Sequence, residues 1–410
     1  MTNASTLALL GGTPLRRRPF PVWPCFEKDE QHAVLRVLES GNVNYWTGDQ
    51  GKCFEDEFAS YLGVNYCLAL ANGSLALDLA LRVLGIGPGD EVIVPCRSFI
   101  ATASCVVLTG ARPIFADVNR ESQNVTVETI ESVLTDRTKA IIVVHLAGMP
   151  VDLDPIMELA RQRRIWVVED CAQGHGSAYL QKNETKWSRI GTIGDIGCYS
   201  FCQDKIMTTG GEGGMLVTQN KELWSKAWSF RDHGKVFDTV FYAQHRPGFR
   251  WLHHGFGTNL RMTEMQAAIG RLQLKKLDKW VQNRRAHAAL LNKRIAQIDI
   301  LRTVVPKDQF FHSYYKYYCF VRRERMRPDW NRDKIMQAIN AEGIPCFTGI
   351  CPEIYLEKAF QALDCGPTQR LPNARELGET SLMLLVHPTL TEEDIKDMAR
   401  ALEKVVLQSM

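Results

Sequence analysis

Continuous apolar runs, rather than alternating ones, mark the first two thirds of the chain. Glu91-Val92-Ile93-Val94-Pro95, Pro113 to Val118, Ala140 to His145 and Ile165 to Asp170 are short, rich in β-branched side chains and show no in/out alternation. Such runs predict strands covered on both faces, as in parallel sheets flanked by helices. Between them, Ser74 to Leu84 is apolar nearly all round, which predicts a buried helix ending at Gly85. Gly87-Pro88-Gly89-Asp90 then predicts a turn. Val127 to Leu134 and Leu153 to Gln162 carry helical spacing. Strand, helix, strand repeated in this way predicts an α/β domain built on a mainly parallel sheet.

Near residue 270 the texture changes. Leu272 to Ile298 is a long stretch rich in Lys, Arg and Leu with helical character, and Tyr314 to Val321 is an aromatic strand. A helix follows near Asp333 to Ala341, and Thr391 to Leu407 forms a terminal one, opened by Glu392-Glu393-Asp394. The pattern predicts a large α/β domain over 1–270, including an N-terminal arm, and a smaller α+β domain over 271–410.

Composition narrows the function classes. With 49 Lys and Arg against 46 Asp and Glu, the net charge of +3 lacks the basic excess of an electrostatic nucleic-acid binder. No apolar stretch approaches the roughly 18 to 20 residues that span a bilayer. Met1 to Arg18 places its arginines after its apolar patch, the wrong order for a secretory signal. The 12 cysteines are scattered and form no Cys-x-x-Cys pair, so the sequence predicts reduced thiols in a cytoplasmic protein and no structural metal.

Three local patterns carry chemistry. Asp170 ends an apolar strand, and ligands of open α/β sheets bind at the carboxyl ends of strands; equally, an Asp there caps a following helix. Lys205 follows the run Cys198 to Phe201 and precedes Gly210-Gly211-Glu212-Gly213-Gly214. Its position before the glycines excludes a Walker loop, and no Gly-x-Gly-x-x-Gly is present there. Apolar, glycine-rich surroundings are where a lysine becomes nucleophilic, whereas a lone lysine before a turn is ordinarily a surface group. Asn72-Gly73-Ser74 heads the buried helix and suits an anion, or is simply its cap. One ligand unites the three. Pyridoxal phosphate needs a lysine, a carboxylate on its ring nitrogen, an anion site and a flat side chain against its ring. Lys205, Asp170, the 73–74 turn with Ser200, and Phe99 supply them.

The chain resembles the DegT/DnrJ/EryC1/StrS sugar aminotransferases, which share the fold of aspartate aminotransferase. The resemblance is carried by Gly73-Ser74-Leu75-Ala76-Leu77, Gly89-Asp90-Glu91-Val92-Ile93-Val94-Pro95, Ser98-Phe99-Ile100-Ala101-Thr102 and His145-Leu146-Ala147-Gly148-Met149-Pro150. It continues through Glu169-Asp170-Cys171-Ala172-Gln173, Ser200-Phe201, Lys205 and Asn259 to Ala268, in family order. It implies pyridoxal 5'-phosphate as cofactor and Lys205 as the residue that forms the internal aldimine and moves the α-proton. By the same resemblance Asp170 holds the pyridine nitrogen, Gln173 lies near the ring hydroxyl, and Phe99 stacks on the ring. Gly73, Ser74, the Leu75 N–H and Ser200 meet the phosphate. Asn259 reaches the phosphate of a partner subunit, which implies a homodimer with shared sites. The implied reaction moves an amino group from glutamate or glutamine to a nucleotide-linked keto-sugar, with a keto-cyclitol as the alternative acceptor.

The chain departs from the family pattern in one place: an extra glycine stands between Lys205 and Glu212. Relatives that dehydrate sugars carry histidine in place of the lysine, so Lys205 argues against that branch. Two rival readings are a non-catalytic cofactor-binding regulator and a sulfur-transfer enzyme using Cys171 or Cys202. Outside the family blocks, His175 is a candidate helper of the site or a core residue. Arg231-Asp232-His233-Gly234 is a polar loop facing substrate or partner; His253-His254 and Arg16-Arg17-Arg18 read as solvated groups.

Overall fold

The computed structural model describes residues 6–410; residues 1–5, which open the arm, lie outside the described residues. A seven-stranded sheet forms the centre, in the order Tyr66–Leu70, Gly214–Thr218, Ile196–Ser200, Trp166–Asp170, Thr138–Val144, Glu91–Pro95, Arg112–Ala116. Only Gly214–Thr218 runs against the others. The Glu91–Pro95 and Gly214–Thr218 strands are buried throughout, as their unbroken apolar runs require. The Gly73–Val83 helix crosses the Ile196–Ser200 and Gly214–Thr218 strands, burying Leu77, Leu79, Ala80 and Leu81. Its near-uniform apolarity follows from further cover by the Ala101–Leu108 and Lys221–Arg231 helices.

Because six strands are parallel, their carboxyl ends lie along one edge of the sheet. There the chain leaves Leu70 for Gly73, Pro95 for Phe99, Val144 for Ala147, and ends strands at Asp170 and Ser200. Topology alone therefore gathers residues spread over more than a hundred positions.

The C-terminal part is built on a four-stranded antiparallel sheet of Leu301–Thr303, Tyr317–Val321, Ser381–Leu384 and Cys346–Phe347. The Arg332–Ala341 and Glu392–Ser409 helices cover it, and the latter opens with a capping box between Thr391 and Asp394. One 32-residue helix, Glu264–Ile295, runs past position 270 without a break and passes from the core around Phe54 and Phe201 to the core around Leu382 and Val405. At its start Glu264 reaches sideways and accepts from Gln50 N at 2.5 Å and Gly51 N at 3.0 Å, capping the Gln50–Leu62 helix. The N-terminal arm packs with this second core: Leu7 is buried in it, and Arg16 pairs with Asp394 at 2.7 Å and Asp397 at 2.8 Å. Arg16 is thus a buried structural ion pair, not a solvated charge.

Boundaries differ from the sequence pattern in three places, the long helix opening at Glu264 instead of Leu272. The aromatic strand begins at Tyr317 instead of Tyr314, because Tyr314 has φ of 50° and Tyr315 N donates to Ala147 O instead of joining the ladder. The Val127 helix stops at Glu131, where it is only five residues long.

Candidate active site

Asp170 stands at the last position of the central strand and is fully enclosed. Thr102 Oγ1 donates to its Oδ2 at 2.8 Å, and Ala172 N donates to its Oδ1 at 3.1 Å. Burial pushes its carboxyl up; the Ala172 N–H, the Thr102 hydroxyl and the Lys205 charge act against that push. The neighbouring Glu169 points to the opposite side, as alternate strand residues must. It accepts from Gly191, Ile193 and Gly194 N–H groups and pairs with His145 Nε2 at 3.0 Å. Burial opposes its ionisation, but His145 and those N–H groups outweigh it and hold the carboxyl below the usual range. His145, Glu169 and Cys171 come within metal-binding distance of one another, yet His145 Nδ1 accepts from Val151 N, and the three remaining Glu169 contacts are to backbone N–H groups. That cluster is a hydrogen-bonded brace.

Lys205 lies in the loop after the Ile196–Ser200 strand, its side chain 16% exposed. Its ammonium stands 3.9 Å from Asp204 Oδ1 and 5.0 Å from the centre of the Tyr315 ring. Tyr315 donates its hydroxyl proton to Asp204 Oδ2. Burial opposes the Asp204 charge, but Lys205, the Tyr315 hydroxyl and Lys316 outweigh it and keep the carboxylate below its ordinary range. The Lys205 carbonyl accepts from Trp23 Nε1 at 2.8 Å, so the arm also fixes the backbone that carries the lysine. Trp23, Asp204 and Tyr315 carry no distinctive spacing in the sequence; Thr102 stood within a motif but without a role.

The third part is a close approach of two loops. A Cβ on Gly73 would lie 2.4 Å from Ser200 Cβ, and one on Gly214 would lie 2.3 Å from Asn72 O. Both positions exclude any side chain, and the helix start is thereby pressed against the end of the Ser200 strand. Asn72 Oδ1 caps the helix by accepting from Leu75 N at 3.0 Å. The Leu75 N–H is therefore already engaged, while the first-turn N–H groups of Gly73 and Ser74 have no acceptor within the helix. Gln173, buried, accepts from Ala147 N at 2.8 Å. Phe99, by contrast, is 59% exposed at the mouth of the site, and Asn259 is exposed on the surface, where its Oδ1 accepts from Arg261 N. Two consecutive residues with positive φ, Gly210 and Gly211, absorb the extra glycine.

The other conspicuous residues separate cleanly. His175 is wedged between Tyr199 and Phe201, and burial, then Lys205, hold its pKa down to about 3, so it is a neutral core residue. Arg231 is buried against Glu55 at 2.6 Å, out of reach of any substrate. His253 and His254 are exposed. Cys171 is enclosed, and burial pushes its thiol far up, the reverse of a reactive cysteine.

Fold and site together define a two-core α/β protein of the aspartate-aminotransferase type. The profile of the DegT/DnrJ/EryC1/StrS aminotransferase family matches residues 24–403, and the chain belongs to that family. An aminotransferase from Psychrobacter cryohalolentis superposes with a TM-score of 0.92 at 49% identity, covering 95% of this chain and 100% of that one. GDP-perosamine synthase of Escherichia coli O157:H7 is 35% identical over 92% of this chain and 95% of its own. The putative L-glutamine:3-amino-2,3-dideoxy-scyllo-inosose aminotransferase of Micromonospora echinospora is 33% identical over 97% and 96%. The chain is an aminotransferase.

Proposed function

We propose that this aminotransferase uses pyridoxal 5'-phosphate to move an amino group from glutamate or glutamine to a keto-sugar. The observation that carries the cofactor is the enclosed Asp170, whose carboxyl burial pushes up while Lys205 draws it back down. A carboxylate so placed gains a partner when a protonated ring nitrogen enters. The close contact of Gly73 with Ser200 brings the helix start and the end of the strand together, and Ser200 Oγ with the Gly73 and Ser74 N–H groups would serve as donors to the phosphate end. Bound there, pyridoxal phosphate supplies an electrophilic aldehyde and an electron-poor ring that accepts the pair left when a proton leaves the amine-bearing carbon.

The residues divide the work. Asp170 holds the proton on the ring nitrogen, oriented by Thr102 and Ala172. Lys205 Nζ would be the amine that holds the aldehyde and, when free, the base that would move the proton at the donor's α-carbon and at the carbon receiving the amine. Gln173 would meet the ring hydroxyl, and Phe99 would cover the ring face. Phe99 and Asn259, both exposed in one subunit, fit a homodimer in which Asn259 reaches the partner's phosphate site.

A nucleotide-linked keto-sugar is the acceptor we favour, in line with the sugar-nucleotide name of the Escherichia coli relative; the Micromonospora relative supports a keto-cyclitol as the second reading. Half-reactions distinguish them. The pyridoxamine form is mixed with keto-sugar nucleotides and with keto-cyclitols, and the compound that restores the oxidised spectrum is the acceptor. A protein that takes up no cofactor, or whose spectrum no amino acid changes, contradicts the whole reading.

A further inference from the structure

The site holds a second ammonium that the reaction above does not use. Lys316 lies in the turn before the Tyr317–Val321 strand, 4.7 Å from the centre of the Tyr315 ring, against which Lys205 stands at 5.0 Å. It is 4.0 Å from Asp204 Oδ2, and Lys205 is 3.9 Å from Oδ1 of the same carboxylate. The Tyr315 hydroxyl already donates to Oδ2, and 4.0 Å is beyond hydrogen-bond reach. Among the described residues, no acceptor is bonded to the Lys316 ammonium, although its side chain is only 20% exposed. Behind it Arg284 is buried, bonded to the Tyr314 and Tyr315 carbonyls, with Nε and Nη2 unpartnered. Two ammonium groups thus share one carboxylate, with the Arg284 guanidinium buried nearby. Enclosed positive charge in excess is costly unless an anion joins it.

Resting on the aminotransferase reading, we propose that Lys316 receives the α-carboxylate of the amino-acid donor. The donor's reacting nitrogen must come to where Lys205 reacts. Its carboxylate oxygens lie roughly 3 to 3.5 Å from that nitrogen, and an ammonium bonds them at about 2.8 Å. Both ammonium groups face one ring and one carboxylate, so a donor reacting at Lys205 carries its own carboxylate into the neighbourhood of Lys316. An acceptor's anionic group is a poorer match: a cyclitol has none, and a nucleotide's phosphates are separated from the keto carbon by sugar atoms. Arg284 adds positive charge behind Lys316, with its Nη1 engaged by the Tyr314 and Tyr315 carbonyls.

The test uses the full-length, cofactor-loaded protein and its Lys316→Met and Lys316→Arg variants. Binding of glutarate, a dicarboxylate that cannot transaminate, is measured by calorimetry, and the two half-reactions are followed separately by stopped-flow absorbance. Lys316→Met is expected to weaken glutarate binding and raise the apparent dissociation constant for L-glutamate by at least 10-fold. Lys316→Arg should restore most of both, and the ketone half-reaction should be unchanged in each variant. Unchanged donor and glutarate binding in Lys316→Met overturns the assignment, as does loss confined to the ketone half-reaction, which gives Lys316 to the acceptor. The visible spectrum of the resting enzyme separates this from the reading beneath it: if that spectrum shows no lysine-bound cofactor in wild type, the aminotransferase mechanism itself fails.

Discussion

Thr102 gives its hydroxyl proton to Asp170 Oδ2 across 2.8 Å, so the acid that would hold the ring nitrogen is fixed before any ligand arrives. Its burial is a cost to the free protein. An acid whose pKa is raised on folding destabilises the fold as pH climbs from the unfolded value through the folded one. Asp170→Asn is therefore expected to melt at the same temperature as the cofactor-free wild type at pH 7, or higher, while turnover falls by about 100-fold or more. Calorimetric melting beside single-turnover kinetics checks both halves; a large loss of stability would show that the charge is needed for folding.

Lys205→Ala should bind cofactor without the visible band of its lysine adduct and lose at least about 1,000-fold in turnover, since it removes both the nucleophile and the base. Absorbance of the purified variant and a coupled assay decide it. Retained turnover would place the chemistry elsewhere.

Gly73→Ala sets a Cβ 2.4 Å from Ser200 Cβ, and one of the two loops must move. Overpacking of this kind costs about 1 to 3 kcal/mol, and here it falls on the proposed phosphate cradle. Cofactor affinity, measured by fluorescence titration of the stripped protein, is expected to drop by at least about 10-fold.

The proportion of this picture legible in the sequence follows from how each residue works. Asp170, Lys205 and the Gly73 turn announced themselves because their types are dictated by chemistry or by a space no side chain fits. The buried strands were equally plain, since cover on both faces leaves no polar positions. Tyr314 was misread as strand because its apolar ring matches the pattern while its backbone φ of 50° does not appear in a sequence. Trp23 and Tyr315 are silent in the sequence for another reason: each works through contacts distant in the chain, among them the hydrogen bonds to Lys205 O and Asp204, and nothing local marks such a residue. Arg231 differs in the opposite direction: the sequence reads it as part of a polar loop, whereas it ends the Lys221–Arg231 helix and turns inward to Glu55.

That inward pair makes its own prediction. Glu55 takes Arg231 at 2.6 Å, Ala69 N at 2.8 Å and the Tyr45 hydroxyl at 3.0 Å. Arg231→Met strands a buried carboxylate and is expected to cost about 3 to 5 kcal/mol, seen in urea unfolding; the double variant with Glu55→Gln should recover part of it.

The pH dependence of donor binding tests Lys316 without a variant. Burial first, then Arg284 and Lys205, lower its ammonium to about 8, against the opposing pull of Asp204. A lowered lysine keeps its charge below that value and loses it above. Glutarate affinity, measured by calorimetry, should be flat below about pH 7 and fall by about 10-fold per unit above pH 8. A flat profile to pH 10 would contradict it.

Trp23 ties the lysine's own carbonyl to an arm whose anchor, Arg16, grips Asp397 across 381 positions of chain. A change at Arg16 therefore reaches the backbone that carries Lys205 by way of Trp23, far from either residue in the chain.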